Sequence, residues 1–331
     1  MAGAGHTVEM LTMADSSASY NLDPLVAHTA LIRQDERKNK VYDLLLRQYR
    51  LFRYVKQKKL DAYVVMLPVT IIMLMLLRPF TDAKMIFSER NDPASYKPFL
   101  QKMLKIICRK ADGAVFQTEH AKNWYGDVLD PQKTAVIPNA INPAFLRPEY
   151  TGRREKHIAA AGRLNGQKNF PLLIGAFAKI AEDFPEHKLV IYGQGAQKDM
   201  LLRLTEELGI GDRVQFPGFV PNMPEILEKA EMFVLSSDYE GMPNALMEAM
   251  ALGLPCVSTD CGGGGARFLI DDGVNGLLVP TGNEQALADA MRRVLADPEM
   301  AAELGKNAAK LKETLAPHKI YGKWEAFFQQ I

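Results

Sequence analysis

MFVLSSDYEGMPNALMEAMALGLPCVST, residues 232–259, reads as one complete strand–helix–strand unit. Residues 232–235 are a short apolar run of the kind that forms a buried parallel strand. Residues 236–241 are a polar loop. Pro243 stands where a first helical residue belongs, and Leu246, Met247, Met250 and Ala251 follow at helical spacing. Gly253 and Pro255 end that helix, and residues 256–259 start the next strand. In such a unit the strand-to-helix loop opens at the carboxyl edge of the sheet, where α/β proteins bind ligands. Two carboxylates mark the place, Glu240 in the loop and Glu248 in the helix, with seven residues between them.

The spacing constrains what the pair can do. From Pro243 to Glu248 a helix rises roughly 7–8 Å, which sets the two acids on the order of 10 Å apart. A retaining hydrolase holds its carboxyls only about 5 Å apart. The pair suits a longer ligand with an acid at each end, and the helix N-terminus between them favours an anion in the middle. A nucleotide-sugar has that layout of ribose, diphosphate and sugar. Taken alone, the same two residues also read as a solvated loop acid and a surface helix acid.

The run Glu240-Gly-Met-Pro-Asn-Ala-Leu-Met-Glu248 resembles the E-x7-E signature of the retaining family-4 glycosyltransferases, whose fold is GT-B. The resemblance extends over nearly the whole chain. It implies an α/β protein of two Rossmann-like domains with parallel sheets facing a cleft. The first would span residues 1–146 and the second, which binds the nucleotide-sugar, residues 147–316, with residues 317–331 packing back on the first.

Composition agrees with an ordinary globular protein of that size: 331 residues, 47% apolar and 24% charged. The net charge of +1 hides an uneven distribution. Residues 1–150 hold 21 Lys/Arg against 15 Asp/Glu, and residues 151–331 hold 19 against 24, so a basic half meets an acidic half. Cys108, Cys256 and Cys261 have no metal-type spacing and read as reduced thiols of a cytoplasmic protein without a signal peptide. Residues 62–77 imitate a membrane span. That stretch is 16 residues long, is interrupted by Pro68 and falls short of the ~20 that a span needs, so strand 62–66 followed by a buried helix is expected instead.

From the start of the chain, residues 6–12 read as a strand. Family members normally begin earlier, with a strand, a glycine-rich loop and a helix ending in Gly-His. Only Gly5-His6 of that opening is present, so the resemblance implies a first domain lacking its first strand and that loop. Residues 33–59 carry ten Lys/Arg and three acids interleaved with Leu44, Leu45, Leu46, Leu51, Phe52 and Val55. This is either a crossover helix with a solvated basic face or a basic amphipathic helix lying on an anionic membrane, at the inner face of the cell membrane. No recognisable nucleic-acid module accompanies the basic residues. Strand-like runs at 84–88, 113–116 and 133–137 alternate with helical patterns, as a parallel sheet requires. After the first of them, residues 88–93 (SERNDP) resemble the family's cleft loop, with Arg90 where many relatives have His. A guanidinium there can face a donor or acceptor but cannot serve as a base at neutral pH. Asn139, in PNAI, resembles the step into the linker at 143–156.

The second half restarts with a strand at 157–161 and the loop GRLNGQK. Arg163 and Lys168 flank this strand-to-helix turn, and by resemblance they are the family's two diphosphate-binding cations. Gly193 and Gly195 follow the strand at 188–192, in a turn that lies under the nucleotide in the family. Phe219 and Val220 match the segment that meets the base. Gly241, Met242, Pro243 and Asn244 complete the donor site, with amides for the leaving diphosphate. Arg267, after a run of four glycines, has no assigned role. Helical patterns at 283–295, 298–313 and 317–330 close the chain.

The implied activity is retaining transfer of a sugar from a nucleotide-sugar, a UDP-sugar by analogy with the branch that builds cell-surface polysaccharides, to a saccharide or lipid-linked saccharide acceptor. Arg163 and Lys168 would neutralise the diphosphate, Glu248 would bind ribose and Glu240 would orient the sugar, with no cofactor and no metal. A catalytically impaired nucleotide-sugar-binding fragment and a GT-B nucleotide-sugar epimerase remain alternatives.

Overall fold

The buried apolar runs become strands of parallel sheets in the computed structural model, which describes residues 2–14, 22–126 and 129–331. The strands are β1 (Val8–Thr12), β2 (Val26–Ala30), β3 (Ala62–Val65), β4 (Lys84–Glu89), β5 (Gly113–Phe116) and β6 (Thr134–Val136) in the first half. The second half holds β7 (Glu155–Ala161), β8 (Lys188–Tyr192), β9 (Val214–Gly218), β10 (Ala230–Leu235), β11 (Cys256–Thr259) and β12 (Leu277–Val279). Strands such as β5 and β11 are buried at every residue, which is why they read as unbroken apolar runs without alternation.

The second half forms one six-stranded parallel sheet in the order β12-β11-β10-β7-β8-β9. Its first strand, β7, is central, with β8 on one side and β10 on the other. The chain therefore winds outward in both directions from the β7–β10 boundary, and crossover loops diverge there to leave a crevice at the carboxyl ends. The first half is less regular. β3 to β6 form a four-stranded parallel sheet, whereas β1 and β2 pair only with each other among the described residues. Leu11 of β1 and Leu31, just past the end of β2, share a core with Tyr63, Val65, Met85 and Phe87 of the larger sheet. Helix Lys40–Gln57 joins them through Leu51 and Val55.

That basic helix is shorter than residues 33–59. Asn39 caps it, its side chain accepting from the Tyr42 N–H, and a separate 3-10 turn occupies Gln34–Glu36. The segment from residue 62 divides into β3 and the buried helix Pro68–Met75, and no helix among the described residues is long and apolar enough to cross a membrane.

Helix Pro317–Gln330 spans the two halves. Phe327 is 2% exposed and lies so close to Gly113 of β5 that a Cβ there would sit 2.9 Å from its ring. One apolar cluster accordingly runs from Ile86 and Val115 of the first sheet through Phe327 to Phe233, Leu246 and Met250 of the second. The two halves meet through packed side chains as well as through the chain connection.

Candidate active site

The crevice between β7 and β10 is built from the two loops that leave their carboxyl ends. After β7, the chain passes through Arg163 and a 3-10 turn at Gly166–Lys168, then starts helix Phe170–Ala178. Asn169 takes the left-handed conformation, φ 42°, and its side chain serves both loops. The amide oxygen accepts from the Leu172 N–H at 3.3 Å, and Nδ2 donates to Asp238 Oδ1 at 2.7 Å. Ser236 Oγ donates to the Lys168 carbonyl at 2.8 Å, and the Asp238 N–H to that of Gln167 at 2.9 Å.

Glu240 is the centre of this arrangement. Lys168 Nζ donates to Glu240 Oε1 at 2.6 Å, Ser237 Oγ to the same oxygen at 2.7 Å, and Gln167 Nε2 to Oε2 at 3.4 Å. Glu240 is only 6% exposed, so its carboxylate is held within the crevice wall and is not presented to it. Arg163 differs: its side chain is exposed and has no partner among the described residues.

Helix Asn244–Ala251 begins one residue later than the proline spacing predicts, with Pro243 as its N-cap. The predicted set of amides narrows in consequence. The Met242 N–H donates to Gln117 Oε1 at 3.1 Å, and Pro243 has no N–H, which leaves those of Gly241 and Asn244. Glu248 is mostly buried and has no hydrogen-bond partner among the described residues. Burial alone pushes its carboxyl from the ordinary 4.5 to about 7.

Gly193 and Gly195 bring the loop after β8 onto the loop after β7. A Cβ on Gly193, at φ 139°, would lie 1.9 Å from the Gly162 carbonyl oxygen, and one on Gly195 2.2 Å from that of Leu164. Only glycine permits this approach. Phe219 and Val220 follow the edge strand β9, with Phe219 68% exposed.

The first domain contributes the opposite wall. Glu89, at the end of β4, is 1% exposed and accepts from Tyr96 Oη and Tyr125 Oη, both at 2.7 Å, and from the N–H groups of Arg90 and Asn91. Burial raises its pKa, while these four donors oppose the rise. The neighbouring Arg90 reaches Asn139 Oδ1 at 2.8 Å and lies over the Trp324 ring, 5.6 Å from its centroid. Burial draws its pKa down to about 10, so it stays cationic at neutral pH. Asn139 Nδ2 in turn donates to Asn244 Oδ1 at 2.7 Å. Arg90 therefore bonds to the bridge between domains. Arg267 pairs with Asp260, Nε to Oδ1 at 3.1 Å, which accounts for its place.

Gln117, Gln167, Ser237 and Asp238 are absent from the sequence-derived site. Ser237 and Asp238 lie inside the loop quoted at the outset, and Gln167 beside Lys168, so their positions were visible though not their bonds. Gln117 carries no periodic signal.

Residues 1–145 match the model described as Glycosyltransferase Family 4, and residues 147–311 the model described as Glycosyl transferases group 1. Over 187 residues, 56% of this chain and 50% of the relative, the chain is 36% identical to the N-acetylgalactosamine-N,N'-diacetylbacillosaminyl-diphospho-undecaprenol 4-alpha-N-acetylgalactosaminyltransferase of Campylobacter jejuni. Over 327 residues, 96% of this chain and 89% of the relative, it is 27% identical to the GalNAc-alpha-(1->4)-GalNAc-alpha-(1->3)-diNAcBac-PP-undecaprenol alpha-1,4-N-acetyl-D-galactosaminyltransferase of the same organism. The crystal structure of Anabaena HepE in complex with UDP is similar with a TM-score of 0.77 at 16% identity, over 93% of this chain and 87% of that one. The chain spans between 23% and 62% of the length of five of the curated relatives it matches, the first Campylobacter enzyme included. Two parallel α/β units facing each other across a crevice define the GT-B class. Within that class the chain belongs to the family-4 glycosyltransferases.

The isolated carboxyl of Glu248 leads to a pH prediction. Because its folded pKa is raised, the folded state keeps a proton that the unfolded chain loses, so this stability is fully present below pH 4.5 and is lost as pH rises through about 7. The whole effect is on the order of 3 kcal/mol. Chemical denaturation without ligand should find Glu248→Gln more stable than wild type at pH 8, with the difference shrinking toward pH 5. A Gln variant less stable at pH 8 would show that Glu248 is satisfied as an anion.

Proposed function

We propose that this chain is a retaining glycosyltransferase that moves a sugar from a UDP-sugar to a saccharide carried on a lipid diphosphate. The observation that carries the reading is the β7–β10 crevice, which gathers Arg163, Lys168, Glu248 and the start of helix Asn244–Ala251 at one switch point of a parallel sheet. The UDP complex of HepE supports the choice of nucleotide, and the undecaprenol-diphosphate names of the Campylobacter relatives support the acceptor class.

In this reading the diphosphate lies against the helix start, where the N–H groups of Gly241 and Asn244 meet it, with Arg163 and Lys168 on its charge. Glu248 accepts from ribose hydroxyls, which replaces its missing partners and stabilises the anion. The bond between the sugar's anomeric carbon and the diphosphate breaks as the acceptor oxygen bonds to the same face. The acceptor proton passes to the departing phosphate oxygen, so no protein base is required. Charge neutralisation rests on the two cations and the helix, and the reading calls for no metal. Glu240 orients the sugar after Lys168 has turned toward phosphate, since the two are paired beforehand.

The same reading places helix Lys40–Gln57 on an anionic bilayer at the inner face of the membrane. Val41, Leu44, Leu45 and Tyr49 are exposed on it, with Lys40, Arg53 and Lys56 also exposed.

Thermal denaturation with UDP, GDP and ADP tests the donor. UDP at 100 times its dissociation constant should add about 2.7 kcal/mol of stability, and Arg163→Ala and Glu248→Ala should each abolish selective stabilisation. No response to any nucleotide from a cooperatively folding protein would remove the proposal. For the bilayer, co-sedimentation with phosphatidylglycerol vesicles should exceed that with phosphatidylcholine, weaken in high salt, and fall in Leu44→Glu/Leu45→Glu. Equal recovery with both vesicle types would sink the membrane part alone.

A further inference from the structure

Residues 240–244 belong to the second domain, yet side chains of the first domain hold them. The Met242 N–H donates to Gln117 Oε1 at 3.1 Å, and Asn244 Oδ1 accepts from Asn139 Nδ2 at 2.7 Å. Gln117 Nε2 also donates to Asn139 Oδ1 at 2.7 Å. The sense of every bond is determined. Arg90 has only donors, so the Asn139 atom it meets must be the oxygen, and Nδ2 is left to face Asn244. Gln117 spends its Nε2 on that same oxygen, and its Oε1 is left for Met242.

Sterics reinforce the contact. A Cβ on Gly241 would lie 2.4 Å from the Arg90 carbonyl oxygen and 2.5 Å from Gln117 Oε1, and one on Gly264 2.7 Å from His120 Cβ. Thr118 Oγ1, next in sequence to Gln117, donates to the Gly263 carbonyl at 2.8 Å. Glycines of the second domain thus admit residues 90 and 117–120 of the first to its ligand-facing loops. Gln117 is 3% exposed, so losing either partner leaves a buried amide unpaired.

We propose that Gln117 is a positioning residue that ties closure of the two domains to the shape of the 240–244 loop. With the domains together, Gln117 takes the Met242 N–H out of the crevice and fixes the loop so that the Gly241 and Asn244 amides face inward. With the domains apart, Met242 and Gln117 are hydrated and the loop loses that restraint. Asn139, pinned by Arg90, extends the same tie to the first turn of the helix. The consequence for turnover rests on the glycosyltransferase reading; the latch itself does not.

The test compares wild type, Gln117→Met and Gln117→Glu, the last keeping an acceptor for Met242. Hydrogen exchange at the Met242 amide should accelerate about tenfold or more in Gln117→Met, as one lost buried hydrogen bond implies, and stay near wild type in Gln117→Glu. Small-angle scattering should show a larger radius of gyration for Gln117→Met. With a UDP-sugar donor, kcat should drop roughly tenfold in Gln117→Met and the Kd for UDP should rise with it, because the 240–244 loop offers its amides to the diphosphate, while Gln117→Glu should keep both near wild type. Unchanged Met242 exchange, or faster exchange without a change in scattering, would overturn the latch. So would loss of protection throughout β4 and β5 in both variants, which would make Gln117 a core residue only. If wild type binds no UDP, the functional reading fails while exchange and scattering still decide the latch.

Discussion

Lys168 and Glu240 lie at the tips of two loops that leave adjacent central strands, and their contact at 2.6 Å closes the crevice between them. Both side chains are largely withdrawn from water, 16% and 8% exposed. Removing one member of such a pair leaves an uncompensated charge and typically costs 3–5 kcal/mol. Ser237 and Gln167 add donors to the carboxylate, and Asn169 clamps Asp238, so the loops after β7 and β10 form one unit. A diphosphate entering here brings more negative charge than Glu240 carries, and the same cation can turn from one to the other. The pair therefore places Lys168 correctly in advance.

Around that unit the crevice is unfinished in ways that favour a ligand. Arg163 is a cation without a partner among the described residues, Glu248 a mostly buried acid without one, and the Gly241 and Asn244 amides lie at a helix start. Of these, the unpartnered acid lowers the stability of the empty protein once it is ionised, a trade that functional sites commonly show. The opposite wall is more completely bonded, although Ser88 Oγ and Arg90 Nε are buried there without a partner among the described residues. Glu89 has four donors, and the chain of amides from Asn139 to Asn244 joins the domains where Gly241 and the 262–264 turn let them touch.

Much of this was legible in the sequence. Strand positions followed from apolar runs, and Arg163, Lys168 and Glu240 assemble into one crevice because each follows a strand of the same parallel sheet. What remained hidden depends on distant pairing. No local pattern told whether β1 would bond to β3, and the two prove to lie in separate sheets among the described residues. The burial of Glu240 was unreadable, since a Glu in a polar loop looks solvated until Lys168, 72 positions away, is seen against it. Gln117 and Asn139 are short carboxamides whose partners lie 125 and 105 positions along the chain. The basic helix ended up shorter than its composition suggested because Asn39, a preferred capping residue, starts it at Lys40.

The most direct measurement is a crystal structure of the protein with UDP bound. Diphosphate oxygens should lie within hydrogen-bond reach of Lys168 Nζ, the Arg163 guanidinium and the N–H groups of Gly241 and Asn244. A ribose hydroxyl should lie on Glu248. UDP bound elsewhere, with Lys168 still on Glu240 and Glu248 still unpartnered, would contradict this arrangement.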